Sequence, residues 1–271
     1  MNRINQTMAR LRQEGRKALV PYIVAGDLSR ETTLAVMHAV VEAGASLIEL
    51  GVPFSDPAAE GPTIQRAHER ALANKVTLRE VLSYVKEFRE RDQDTPIMLM
   101  GYANPVERMG YEAFVAAAQE AGLDGVLTVD LPPEEAEEFN AVLRRAEMEN
   151  IFLVAPTTTI ERQKSIVALA GGFLYYVSLK GVTGAGHLDI ASVREKMAEL
   201  RSLTTLPVCV GFGIKDGATA RAVAEVSDGA VVGSVLVARM AELAATGERN
   251  PDVIAADVAE LIAEMRRALD A

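Results

Sequence analysis

The 271-residue chain is predicted to fold as an α/β barrel of eight parallel strands, and three observations favour this fold class. Short apolar runs alternate with longer helical stretches, which is the pattern of repeated strand–helix units on a parallel sheet. Several runs are apolar nearly throughout, as expected for strands that are buried on both faces. The length is close to the ~250 residues typical of one (β/α)8, or TIM, barrel. We therefore expect a single barrel domain over residues 1–271.

Eight apolar runs are the predicted strands. They are Ala18–Val24, Leu47–Gly51, Ile97–Met100, Gly125–Val129, Ile151–Val154, Phe173–Ser178, Pro207–Gly211 and Gly229–Gly233. Alternation of strands and helices alone does not separate a closed barrel from an open doubly wound sheet. The count of eight units favours the barrel.

Helix boundaries are marked by N-cap residues, a proline suited to a first turn, and glycines that follow a last turn. These signals are Ser29, Thr77 with Glu80 in capping-box spacing, Pro62, Gly44, and Gly122 after the predicted helix Tyr111–Ala121. Three helices are expected beyond the basic eight. One is formed by the first residues of the chain, one lies in the connection between strands two and three, and a short one begins at Val235.

Composition and charge exclude several classes of function. A formal net charge of −10 and a pI near 5.0 disfavour nucleic acid or an anionic membrane as the main partner. No apolar run approaches the ~20 residues that span a bilayer, and the first residues lack the apolar segment of a secretory signal. The single cysteine, Cys209, lies in a predicted strand and is expected to be a small buried hydrophobe. We therefore expect a cytoplasmic protein.

A metal site is not expected. The three histidines, His38, His68 and His187, are on separate segments without ligand spacing, and only one cysteine is present. No G-x-G-x-x-G follows the first strand and no P-loop is present, which disfavours dinucleotide and ATP chemistry.

Glycine-rich loops after strands seven and eight predict a phosphate site. Strand seven runs into G-F-G-I-K-D-G at 211–217, and strand eight ends in G-A-V-V-G-S-V at 229–235. Glycines allow backbone N–H groups to converge on an anion, and a helix that starts beside Ser234 directs its positive N-terminus there. Ordinary turns are the alternative explanation. The occurrence in two consecutive units favours the phosphate site that barrels commonly place here.

Glu49 is the strongest catalytic candidate. It lies within the second apolar strand, where a carboxylate is costly unless it is paired or functional. Ile48 and Leu50 are expected to face the helices, so Glu49 should point into the barrel, where burial would raise its pKa towards neutrality. A structural ion pair is the alternative, but no predicted strand contains an Arg or Lys. In the following loop, Asp56 and Glu60 are each either a second acid or a turn residue.

Strand six and its loop contain weaker candidates. Tyr175 is expected to reach the cavity, although an inward tyrosine is often only part of the core. The loop that follows, L-K-G-V-T-G-A-G-H-L-D, has the composition of a mobile lid and contains Thr183 and Gly184.

The string E-L-G-V-P-F-S-D-P-A-A-E-G-P-T-I-Q at 49–65 resembles the second strand–helix loop of the tryptophan synthase α chain family. Further matches occur in the same order along nearly the whole chain. They are P-Y-I-V-A-G-D at 21–27, M-G-Y-A-N-P at 100–105, D-L-P-P-E-E at 130–135, G-V-T-G at 181–184, G-F-G-I at 211–214 and G-S at 233–234.

The resemblance implies a (β/α)8 barrel that cleaves indole-3-glycerol phosphate to indole and glyceraldehyde 3-phosphate. It also implies an α2β2 assembly with a β chain that carries pyridoxal phosphate, whereas this chain would need no cofactor. By resemblance, Glu49 is the acid–base group, Tyr175 lies beside the substrate and Thr183 belongs to the lid. The phosphate cradle is formed by Gly184, Gly213, Gly233 and Ser234. The residues that face the β chain are Asp56, Asn104 and Asp130.

The chain departs from the family pattern at its second catalytic acid. The family form is A-D-G-P, with an aspartate that accepts the indole N–H, whereas this chain has A-E-G-P with Glu60. The charge is kept, but the arm is longer by about one C–C bond, ~1.5 Å. A misplacement of ~1 Å can cost on the order of 100-fold in rate. The length comparison therefore predicts that Glu60 acts, with a lower turnover than an aspartate form.

Two other functions remain open at this point. One is a different phosphate-binding barrel, such as an isomerase or a Schiff-base aldolase that uses Lys180. The other is a regulatory α-like subunit that activates a β chain with little or no lyase activity of its own.

Overall fold

The computed structural model describes residues 2–178, 190–211 and 213–271. Eight parallel strands, β1 to β8, close into a barrel in chain order, and β8 pairs with β1. The strands are β1 Ala18–Val24, β2 Ile48–Gly51, β3 Ile97–Gly101, β4 Gly125–Thr128, β5 Glu149–Val154, β6 Leu174–Val177, β7 Val208–Gly211 and β8 Gly229–Val232. The predicted fold class is confirmed, and strand ends differ from the predicted ones by at most two residues.

Twelve helices surround the strands in the described part of the chain. They are α1 Arg3–Gln13, α2 Arg30–Glu42, α3 Pro62–Ala73, α4 Leu78–Phe88, α5 Ala103–Met109, α6 Tyr111–Ala121, α7 Glu137–Arg145, α8 Ile160–Leu169, α9 Ile190–Arg201, α10 Gly217–Ala224, α11 Ser234–Ala245 and α12 Pro251–Asp270. The capping signals are confirmed. Ser29 caps α2, Thr77 and Glu80 form a capping box on α4, and Gly122 adopts the left-handed conformation with φ of 81°.

Helix α5 was not predicted, because its seven residues A-N-P-V-E-R-M contain a proline in the first turn and its N-cap, Tyr102, makes no side-chain capping bond. The cap comes instead from another strand–helix unit. The Ala103 N–H donates to Oδ1 of Asp130 at 2.7 Å. A tertiary contact of this kind leaves no local sequence signal. Helix α11 begins at Ser234 and is twelve residues long, so it is longer than the short helix predicted from Val235.

The inside of the barrel is a packed core at its amino end. Inward residues such as Val20, Met98 and Leu127 form one cluster, and Ile4 and Met8 of α1 pack against it. Helix α1 therefore covers the amino end of the barrel.

Helix α3 is held against the end of β1 by a buried ion pair. Nε and Nη2 of Arg70 donate to the two carboxylate oxygens of Asp27 at 2.6 and 2.9 Å, and the Asp27 side chain is fully buried. Asn74 donates to the carbonyl groups of Gly26 and Leu28. Helix α3 therefore has a defined position beside the mouth of the barrel.

Candidate active site

A cavity of about 560 Å³ opens where the strands end at their carboxyl side. Its wall is largely apolar, and each of the eight strands contributes to it, either directly or through the segment that follows the strand. The lining includes Tyr22, Glu60, Ile64, Met100, Val129, Leu153, Ala155, Tyr175, Val177, Gly213, Ile214, Val231, Gly233 and Ser234. A largely apolar cavity of this size with a few polar groups is typical of a site for a small organic molecule.

Glu49 is fully buried on β2, beside the cavity. Its strand neighbours Ile48 and Leu50 belong to the core between the barrel and the helices, so the predicted inward orientation of Glu49 is confirmed. Among the residues that the structure describes, neither carboxylate oxygen has a hydrogen-bond partner and no ion pair to the side chain is found. Burial, reinforced by the charge of Glu60, raises the pKa of Glu49 to about 8. The group is therefore predominantly protonated at neutral pH and is able to donate a proton.

Glu60 lies in the loop between β2 and α3 and lines the cavity. The Tyr102 hydroxyl accepts from the Ala59 N–H at 3.1 Å and donates to Oε2 of Glu60, so one tyrosine fixes both the loop and the carboxylate. Burial raises the pKa of Glu60, and the hydrogen bond from Tyr102 opposes that rise. Glu49 and Glu60 are thus close enough to interact and have different surroundings, which is how one site provides a proton donor and an acceptor.

Tyr22 lines the cavity, and His68 lies behind it next to the Tyr22 hydroxyl. Tyr22 is the register partner of Glu49 on the neighbouring strand, and its hydroxyl lies 3.4 Å from Nε2 of His68. Nδ1 of His68 accepts the Phe54 N–H at 3.0 Å. Burial lowers the pKa of His68 to about 4, so the imidazole is neutral at physiological pH.

Tyr175 lines the cavity from β6, as the sequence predicted. The absence of a side chain at Gly211, on the neighbouring β7, is what makes room for it, because a Cβ there would collide with the Tyr175 hydroxyl and ring. Burial is the main reason that the pKa of Tyr175 lies well above its ordinary value, and Glu49 adds to it. Tyr175 therefore stays protonated, and its hydroxyl is able to donate a hydrogen bond.

Three of the predicted phosphate ligands lie together at one side of the cavity. Gly213, Gly233 and Ser234 all contribute to its lining. Gly213 has φ of 76°, a conformation that favours glycine, and Gly233 is the N-cap of α11 without a side-chain cap. The first amides of a helix have no acceptor within the helix, so the N-terminus of α11 offers its N–H groups and its dipole to an anion.

The predicted lid and part of the cradle cannot be placed. Thr183 and Gly184 lie outside the described residues, as do Lys180 and His187. The three residues assigned to a partner surface are described. Asp56, Asn104 and Asp130 are all exposed and lie in loops or first turns at the same end of the barrel as the cavity.

Over residues 2–178, 190–211 and 213–271, no group of His, Cys, Asp and Glu side chains is arranged to hold a metal ion. In the same ranges, no helix combines the length and the apolarity needed to cross a membrane.

Sequence reasoning did not select Tyr22, His68 or Tyr102, although two of them left a signal. Tyr22 continues the inward alternation of Ala18 and Val20 on β1, so a period of two would have placed it in the barrel. His68 interrupts the apolar stripe of Ile64, Ala67 and Ala71 on α3. Tyr102 follows β3 directly, but its bond to Glu60 depends on the path of a loop that has no periodicity.

A closed eight-stranded barrel with two interacting carboxylic acids and an uncapped helix N-terminus at one cavity defines an acid–base enzyme of the (β/α)8 class. The model of one family, the tryptophan synthase alpha chain, matches residues 8–269. This chain belongs to that family. It is a lyase of tryptophan biosynthesis, and the family's reaction is the cleavage of indole-3-glycerol phosphate.

Relatives and solved structures agree with this assignment. The tryptophan synthase alpha chain of Burkholderia pseudomallei (strain 1106a) is 55% identical, and the match covers 100% of this chain and 97% of that protein. The alpha subunit of Legionella pneumophila str. Paris has a TM-score of 0.92 at 43% identity, covering 100% of this chain and 99% of that one. Tryptophan synthase from M. tuberculosis in its aminoacrylate-bound form has a TM-score of 0.87 at 32% identity, covering 99% and 100%.

Proposed function

We propose that this chain cleaves indole-3-glycerol phosphate with Glu49 as the acid–base group, Glu60 as the acceptor for the indole N–H, and Tyr175 beside the reacting carbon. The observation that carries the proposal is the state of Glu49. It is buried next to an apolar cavity, it has no hydrogen-bond partner among the described residues, and its pKa is raised to about 8. A structural carboxylate would be paired, whereas an unpaired one is available to a substrate.

The first step is a proton transfer to the indole ring. Protonated Glu49 donates its proton to ring carbon C3, which becomes tetrahedral, and the indole nitrogen becomes more acidic as positive charge develops on it. The Glu60 carboxylate takes the N–H proton, so the ring becomes a neutral indolenine. The Tyr102 hydroxyl leaves one oxygen of Glu60 for this purpose, since it occupies only Oε2.

The second step is the retro-aldol cleavage. The Glu49 carboxylate removes the proton from the hydroxyl on the carbon attached to C3. The C–O bond becomes a carbonyl group, the C–C bond breaks, and its electron pair returns through the ring to the nitrogen. Glu60 gives the proton back to the nitrogen. The products are indole and glyceraldehyde 3-phosphate, and both carboxyl groups return to their starting states.

The phosphate fixes the direction in which the substrate lies. We infer that it binds to the backbone N–H groups of Gly213, Gly233 and Ser234, with Gly184 completing the cradle and Thr183 closing over the site from the lid. The uncapped N-terminus of α11 supports this position. The indole ring then lies between Leu153, Met100 and Val129, near Glu49 and Glu60.

The test of the proposal is indole release from indole-3-glycerol phosphate by the purified chain, alone and with a tryptophan synthase β chain. We expect release by the natural chain and a loss of at least ~100-fold in Glu49→Gln, because general acid–base groups contribute ~10² to 10⁴ in rate. Near-natural activity in Glu49→Gln contradicts the role of this residue. Absence of release under both conditions favours a regulatory α-like subunit instead.

A Schiff-base aldolase makes a different prediction in the same samples. Borohydride reduction in the presence of the substrate would trap a covalent adduct on Lys180. Under our proposal the mass of the chain stays unchanged, because the carbonyl group arises only in the product and no amine takes part.

We further propose that the chain works with a tryptophan synthase β chain, expected as α2β2, and that it uses no cofactor of its own. Pyridoxal phosphate is then expected in the β partner. Support comes from the family and from three exposed residues on the cavity side of the barrel, namely Asp56, Asn104 and Asp130.

We also propose that the chain is cytoplasmic, since a buried, unpaired Cys209 is consistent with a reducing compartment. One barrel domain over residues 1–271 is supported by the packing of α12 against α2.

Charge reversal tests the partner surface. Asp56→Lys is expected to weaken association with the β chain by about tenfold, because a reversed charge at an interface disfavours the native partner. Its matched control is Asp94→Lys, an exposed aspartate at the amino end of β3 on the opposite side of the barrel. Calorimetric titration measures both. Equal affinities for the two variants would remove Asp56 from the interface.

A further inference from the structure

His68 is a buried polar residue beside the cavity that the reaction above does not use. It lies on the inward stripe of α3, between Ile64 and Ala71, and its exposed fraction is only 1%. An imidazole at such a position costs free energy unless both ring nitrogens are satisfied. The surroundings of the two nitrogens therefore indicate what the residue does.

The Phe54 N–H determines the tautomer of His68. This backbone donor points at Nδ1 at 3.0 Å, so Nδ1 is an acceptor and carries no hydrogen. A neutral imidazole has one N–H group, which must then be on Nε2. The pKa of about 4 that burial gives to His68 agrees with a neutral ring. His68 is thus a donor of fixed orientation.

The Nε2–H of His68 points to the polar end of the cavity. The Tyr22 hydroxyl oxygen is 3.4 Å away, and Oε1 of Glu60 is 3.8 Å away. The second distance is too long for a hydrogen bond, but a shift of the carboxylate by under ~1 Å would make one. Oε1 is also the oxygen that Tyr102 leaves free. Glu60 therefore accepts a hydrogen bond from Tyr102 on Oε2, and the His68 Nε2–H is the donor within reach of Oε1 after such a shift.

We propose that His68 is a positioning residue for Glu60: its Nε2–H, aimed by the Phe54 N–H, holds the Glu60 carboxylate and the Tyr22 hydroxyl towards the indole nitrogen. The inference rests on the proposed role of Glu60 as the acceptor. The His68 Nε2–H gives the longer side chain of Glu60 a second hydrogen-bond donor besides Tyr102. Without that donor, Oε1 can turn away from the substrate, and kcat falls while substrate binding is kept.

Two substitutions separate this role from a purely structural one. In His68→Asn, the amide oxygen replaces Nδ1 and still accepts the Phe54 N–H, but the donor towards Glu60 is lost. In His68→Gln, the amide group reaches the position of Nε2 and replaces that donor, while the acceptor for Phe54 is lost. We expect kcat of His68→Asn to be about tenfold lower than that of the natural chain, with KM changed by no more than about twofold. We expect His68→Gln to retain most of the activity.

The pH profile provides a readout that packing alone would not change. An N–H donor favours the ionised carboxylate, so its loss in His68→Asn raises the pKa of Glu60 and moves the acid limb of kcat/KM to higher pH. Tyr22→Phe removes the competing acceptor for the same donor, so the acid limb should move to lower pH. The other ionisable groups that face Glu60 stay unchanged in the two His68 variants. They are Tyr102, Asp130, Glu49 and Tyr175.

The reverse order of the two His68 variants, with asparagine active and glutamine impaired, would show that only the contact with Phe54 matters and would overturn the proposal. An unshifted acid limb in both His68→Asn and Tyr22→Phe would do the same. If either His68 variant unfolds, the profile of Tyr22→Phe decides the question. Failure of the proposed lyase function is recognised separately, because the natural chain would then release no indole at all. Failure of the proposed role of Glu60 alone would appear as near-natural release of indole by Glu60→Gln.

Discussion

Replacing Glu49 by glutamine tests the physical basis of the site, since the change keeps the shape of the side chain and removes only its ionisation. In the natural chain the folded state must either hold this group protonated or ionise it without any partner. The unfolded chain ionises it freely. Stability must therefore depend on pH in a way that glutamine abolishes.

The magnitude follows from the change in pKa, from 4.5 in the unfolded chain to about 8 in the folded one. At 1.36 kcal/mol for each unit, the full difference of 3.5 units is about 5 kcal/mol. Because the folded pKa is the higher one, Glu49 costs no stability below pH 4.5, and its cost grows as the pH rises to about 8. Between pH 5 and pH 8, the free energy of unfolding of the natural chain should fall by about 4 kcal/mol relative to Glu49→Gln.

Urea denaturation at several values of pH measures this difference directly. The control is Glu260→Gln, which removes a carboxylate from an exposed position on α12, and its difference from the natural chain should stay flat. The buried amide of the glutamine changes the free energy of unfolding by an amount that does not depend on pH. A flat difference between the natural chain and Glu49→Gln from pH 5 to pH 8 would refute the argument that Glu49 is buried and unpaired.

Two further substitutions test the supports of the site. The length comparison alone predicts that Glu60→Asp speeds the reaction, but the structure reverses the expected sign. The shorter side chain withdraws from the Tyr102 hydroxyl, so we expect about a tenfold slower release of indole. A faster rate would show that the longer side chain is a handicap, and an equal rate would show that the contact with Tyr102 does not matter. Asp27→Asn removes the buried charge that Arg70 binds. Because the Arg70 side chain is 32% exposed, water compensates part of the loss, and the free energy of unfolding should fall by about 1 to 2 kcal/mol. Urea denaturation measures this, and a double variant with Arg70→Leu should recover part of the loss. No loss in the single variant would mean that the ion pair does not hold α3.

The structure also explains how a glutamate can occupy the place of the family's aspartate. The carboxylate of Glu60 is not free to follow its longer arm, because Tyr102 binds one oxygen and the loop through Ala59 at the same time. The Gln65 side chain donates to the Glu60 carbonyl at 2.9 Å and ties the same loop to α3. The position of the acid is therefore determined by its neighbours as well as by its own length.

The sequence by itself determined the fold class and selected Glu49 as the candidate acid. Strand periodicity, glycine positions and capping residues are local properties, and each one restricts the backbone within a few residues of itself. Glu49 could be selected in the same way, because a carboxylate in an apolar strand is anomalous whatever surrounds it. Its inward orientation follows from the alternation of side chains along a strand, which needs no knowledge of the other seven strands.

Only the tertiary structure decided which groups contact Glu49 and Glu60 and how the surroundings of the two carboxyl groups differ. The raised pKa of Glu49 requires knowing that no donor reaches it, and the fixed tautomer of His68 requires the position of the Phe54 N–H. The bond between Tyr102 and Glu60 joins residues 42 positions apart through a loop without periodicity. Such contacts arise when the barrel closes and brings the ends of different strands to one cavity, so no local pattern in the sequence records them.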